Sequence, residues 1–102
     1  MESAKEGLSF VKDSFSTLSV LMPVVTKVHG SRHRELKDVN RLVSQLEVGI
    51  NGKADSKELL ITLNQLRQTT NGYAIPSDAC EGFKKEYRLL SKIDETIRTA
   101  VK

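Results

Sequence analysis

At 102 residues, with 38% hydrophobic and 28% charged side chains, the chain has a globular balance. It is long enough to bury one core without staples, so a disordered protein is excluded and a single domain over residues 1–102 is expected. The net charge of +3 comes from interleaved acids and bases, as in Lys84-Lys85-Glu86, and there is no tryptophan; a nucleic-acid partner would want clustered basic residues and a stacking platform, and the pattern argues against one. A lone cysteine, no signal-peptide layout after Met1 and no apolar run near the ~20 residues of a membrane span lead to the expectation of a cytoplasmic protein without membrane association.

The first periodic segment runs from about Ser3 to His29. Ser3 and Glu6 have the spacing of a capping box, and Leu8, Val11, Phe15, Leu18, Met22 and Val25 recur on one helical face. Pro23 removes a backbone donor, so a kink or break is expected there. Gly30 follows as a left-handed helix end. A second helix opens near Ser31, with Leu36, Val39, Val43, Leu46 and Ile50 on its stripe, and Asn51-Gly52 closes it.

The third segment begins at Asp55, with Glu58 as its capping partner. Leu59, Leu63 and Leu66 face inward until Asn71-Gly72. After a loop containing Pro76, Asp78 with Glu81 caps a last helix whose stripe is Phe83, Tyr87, Leu90, Ile93, Ile97 and Val101. No segment alternates with the period of a strand. Amphipathic helices joined by short connections predict an all-α, up-down-up-down four-helix bundle.

No catalytic constellation is visible: no Ser/His/Asp arrangement, glycine-rich phosphate loop or CxxC pair, so no catalytic residue is assigned. Two features could carry chemistry. His29 continues the apolar seam of the first segment, and His33 and Glu35 follow just past the turn. Imidazole and carboxylate are common iron and zinc ligands in bundles, which makes His29, His33 and Glu35 candidate metal ligands. The competing reading is a helix-end histidine beside a solvated basic turn. Cys80 falls at the start of the last helix, where a dipole favours thiolate, but Asp78 and Glu81 oppose this. A packed structural cysteine is the expectation, with a redox role as the alternative.

Two stretches resemble the iron–sulfur cluster repair di-iron proteins (the Ric family). One is Val24-Val25-Thr26-Lys27-Val28-His29-Gly30, with His33 and Leu36 after it. The other is Leu66-Arg67-Gln68-Thr69-Thr70-Asn71-Gly72-Tyr73-Ala74-Ile75-Pro76-Ser77-Asp78-Ala79-Cys80. The second is the more specific, because Pro and Cys at fixed spacing after an unusual turn are not generic bundle features. Together they cover about a quarter of the chain.

The resemblance implies a hemerythrin-like bundle linked to repair of iron–sulfur centres under nitrosative or oxidative stress. It also implies non-haem iron as the cofactor and other iron–sulfur repair proteins as partners; the few ligands present lead to the expectation of no iron in the isolated chain, with a homodimer as the way a second subunit would complete the site. Members hold two irons, partly through His-x-x-x-Glu motifs. This sequence has no such motif, and no histidine near Leu8 or Ser56, where members carry further ones. Only His29 carries over as a ligand position, with His33 as its neighbour. The expectation is therefore a relative without a complete di-iron site. The alternative is a helical protein-interaction module without metal.

Overall fold

The protein's structure, a computed structural model, describes the backbone of residues 2–52 and 54–101 and the side chains of residues 7–52 and 54–101. The described residues form four helices and no strand: α1 (Glu2–His29), α2 (Glu35–Asn51), α3 (Ser56–Thr69) and α4 (Glu81–Ala100). The expected Ser3–Glu6 capping box lies outside the described side chains.

Helix α1 packs on α4 and α2 on α3. A side chain at Gly7 would meet Thr96, whereas one at Gly82 would meet Val25, so α1 and α4 run antiparallel. Tight turns reverse the chain between α1 and α2 and between α2 and α3, which makes the order up-down-up-down. We call the end where α1 stops the upper end.

The predicted stripes form the core. Val11, Phe15, Leu18 and Val25 of α1 meet Leu36, Val39, Val43 and Leu46 of α2, and Leu63, Leu66, Phe83, Tyr87, Leu90 and Ile93 complete the cluster. Leu42 joins it as well. Leu8 departs from expectation: it is 44% exposed, at the mouth of a cavity of about 230 Å³ that the four helix ends leave open at the lower end.

Helix α1 runs unbroken through Pro23. One missing N–H costs a single ladder bond, and the turns on either side, packed through Leu18 and Val25, hold the helix together. Against the expectation that no apolar run comes near the length of a membrane span, Gly7–His29 within α1 is long and apolar enough, by length and composition alone, to cross one.

The helix ends correct three local expectations. Gly30 keeps a negative φ; glycine is needed there because a Cβ would run into the carbonyl oxygen of Thr26. Residues after His29 form a tight turn, with the N–H groups of Arg32 and His33 both returning to the His29 carbonyl, so α2 starts at Glu35 rather than Ser31. Asp55 does cap α3, accepting from the Glu58 N–H at 2.9 Å. The N-cap of α4, however, is Cys80 and not Asp78.

Candidate functional site

The turn after α1 and the start of α4 meet at the upper end. His33 is the hinge between them. Its Nδ1 lies 3.1 Å from Glu35 Oε2, and its Nε2 lies 2.9 and 3.0 Å from the two carboxylate oxygens of Asp78. Both ring nitrogens face acceptors, and only the imidazolium can donate to both. Desolvation, the largest single influence, works against that charge. The hydrogen bonds to Asp78 and Glu35, with the charges of both, outweigh it and hold His33 above its ordinary value. In return the bond from His33 holds the Asp78 carboxyl below the usual range.

Phe83 organises the rings. The centroids of His29 and His33 each lie 5.1 Å from it, edge to face, and Tyr87 stacks edge-on beneath at 5.0 Å. The two histidine rings are 6.3 Å apart. While His33 is saturated, His29 Nε2 is buried with no partner among the described residues. The Tyr87 hydroxyl is also buried and unpaired, and burial, followed by the charges of Glu35 and Glu86, raises its pKa. Glu86, on the same helix, is fully buried with neither oxygen hydrogen-bonded, and desolvation pushes its carboxyl up to about 7.

A second polar centre lies farther down α4. Asp94 is 1% exposed and accepts from Arg67 Nε and Nη2 at 3.0 and 2.9 Å, from Arg98 Nε at 2.5 Å and from the Tyr73 hydroxyl at 2.6 Å. Arg98 also donates to Asn64. This knot accounts for the unusual turn: Asn71, Gly72 and Tyr73 have φ of 55°, 71° and 61°. Left-handed backbone is unfavourable for a tyrosine, and its N–H bond to Thr70 Oγ1 and its hydroxyl bond to Asp94 hold it there. Burial and then Asp94 raise the Tyr73 pKa, keeping the hydroxyl protonated as a donor.

The proposed ligands thus come together only partly. His33 and Glu35 bond to each other, and His29 stands beside them with its buried Nε2 unpaired among the described residues. Among the described residues no group of three or more His, Cys, Asp or Glu side chains converges to hold a metal ion. The donors of one chain do not fit a di-iron centre: His33 would have to give up Asp78 or Glu35 to ligate, and one free imidazole nitrogen leaves most of two coordination shells unfilled.

Cys80 is exposed, against the expectation of a packed thiol. As N-cap it has extended backbone, with φ −76° and ψ 174°, so the helical phase that buries Phe83 does not reach back to it. Its side chain makes no capping bond.

Asp78 as the partner of His33 was missed, because its spacing to Glu81 suggested a cap. Glu86 and Asp94 were missed too, although a signal existed. Both are acids falling on the i, i+3/i+4 line of Phe83, Tyr87, Leu90 and Ile97, where a solvated face would not place them. Searches against protein-family models, curated proteins and solved structures give no match to the chain.

Proposed function

We propose that this chain is a short hemerythrin-like relative of the iron–sulfur cluster repair proteins, acting in the maintenance of iron–sulfur centres under nitrosative or oxidative stress without a complete di-iron site of its own. One observation supports this most. The two stretches that carry the resemblance are far apart in sequence, yet they meet through the His33–Asp78 bond, beside His29 Nε2, which is buried with no partner among the described residues. A buried unpaired nitrogen is costly unless something uses it.

On this reading His29 supplies one donor toward iron, and the remaining donors come from outside the single chain. The exposed Cys80 thiol, on the loop that Asp78 anchors, is the candidate redox group. The test is the metal content and solution mass of protein expressed in iron-replete, oxygen-free culture, for wild type and His29→Ala. Iron that is present in wild type and lost in His29→Ala is the expected result. Iron unchanged in the variant would place the ligands elsewhere.

A second reading is a helical interaction module without metal. It is favoured by the saturation of His33 and by the exposed valines of α1. Metal-free protein under every condition of the same experiment would put it ahead.

A further inference from the structure

The outward face of α1 changes character along its length. At about 100° per residue, Ser9, Asp13, Ser16, Val20, Val24 and Lys27 all lie within about 40° of one direction, and all six are exposed. Val20 is 70% and Val24 59% exposed, and Val28, 64% exposed, flanks them. The opposite face buries Phe15, Leu18 and Val25 in the core. The second half of α1 is therefore apolar on both sides. A face that meets only water gains nothing from valine, a weaker helix former than the charged residues it replaces.

Two pairs of residues on this seam are spaced symmetrically about Val20. Asp13 lies seven positions before it and Lys27 seven after; Ser16 lies four before and Val24 four after. Neither Asp13 nor Lys27 has an ion-pair partner among the described residues. If a second α1 is laid antiparallel and turned about Val20, the Asp13 of each chain falls level with the Lys27 of the other. Val20 then meets Val20, and each Val24 meets a Ser16 small enough to let the backbones approach.

We propose that this face is a self-association surface, on which two copies pair antiparallel through α1 with Val20 on the two-fold axis and an Asp13–Lys27 ion pair on either side. Such a contact uses the same patch on both chains and closes at the dimer. A single helix-on-helix seam buries less than the ~800 Å² per partner of a standard interface. The dimer is accordingly weak. It also keeps the two His29 turns about 27 Å apart along the helix axes, nine residues on each side of Val20 at about 1.5 Å per residue. The surface is thus separate from any metal chemistry at those turns.

Sedimentation equilibrium of the whole chain between roughly 10 µM and 1 mM tests this directly, with circular dichroism melts to check that the variants, all at exposed positions, stay folded. Val20→Asp should weaken dimerisation at least about tenfold, because it sets two carboxylates against each other on the axis. Asp13→Lys and Lys27→Asp should each weaken it about threefold, and the double exchange should return it to within about twofold of wild type. In a Cys80→Ser background, Val20→Cys should form the intermolecular disulfide readily and Val48→Cys on α2 should not. A monomer up to the highest concentration, a dimer indifferent to Val20→Asp, or a double exchange that restores nothing would overturn the proposal. So would binding of the chain to phosphatidylcholine vesicles through these valines in place of self-association.

Discussion

His33 Nε2 lies 2.9 Å from Asp78 Oδ1, and this contact ties the loop before α4 to the turn after α1. With Glu35 on the other ring nitrogen, the pair makes the upper end a charge-assisted clamp rather than a solvated turn.

His33 therefore has a raised pKa in the folded chain. The clamp's contribution to stability is fully present below the unfolded value of about 6.5 and is lost as pH rises through the higher folded value. Asp78→Asn should move the His33 titration, followed by its imidazole proton resonances, back toward 6.5 or below. It should also reduce stability below pH 6 more than at pH 9. A titration midpoint unchanged by Asp78→Asn would show that the clamp does not form in solution.

Glu86 gives the opposite signature to an ordinary paired carboxylate. Burial lifts its pKa from 4.5 to about 7, so the folded chain holds this proton more tightly than the unfolded chain. Stability accordingly falls as pH rises between those values and levels off above them, by roughly 3 kcal/mol in all. Glu86→Met, of similar volume and with no charge to bury, should stabilise the protein most at pH 8 and least near pH 4.5 in urea unfolding. A gap independent of pH would contradict this.

The buried Asp94 carboxylate collects a phenol and two guanidinium groups, of which Arg67 is half exposed and Arg98 about a quarter exposed. Asp94→Ala should cost roughly 3–5 kcal/mol, since it leaves those donors without their acceptor. Tyr73→Phe should cost about 1.5–3 kcal/mol. In the Asp94→Ala background Tyr73→Phe should cost far less, because the bond it removes is already gone. Urea denaturation of the three variants measures the coupling, and simple additivity would mean that Tyr73 and Asp94 act independently.

Cys80 is exposed at the N-cap of α4. A thiol reagent at neutral pH should modify it in the native protein at a rate within about tenfold of the denatured chain, which is the behaviour of an accessible thiol. Protection by several orders of magnitude would indicate that Cys80 is covered in solution.

Much of the fold was legible in the residues alone. Period-3.6 stripes such as Leu36-Val39-Val43-Leu46 placed the helices and their buried faces. Asp55 announced the start of α3, because an N-cap acts through neighbours only three residues away. These are local effects, and one stretch of chain carries all the information they need. Whether a polar group is buried, paired or bare depends on residues brought from elsewhere. His33 meets Asp78, and Asp94 meets Arg67 and Tyr73, only after four helices have packed. The same packing leaves Cys80 in solvent one turn from buried Phe83, and leaves Glu86 fully enclosed with no partner. Periodicity decided which faces turn inward, because hydrophobic burial acts along each helix. The tertiary structure decided which buried charges found an opposite charge, because electrostatic pairing requires both groups to arrive at one place.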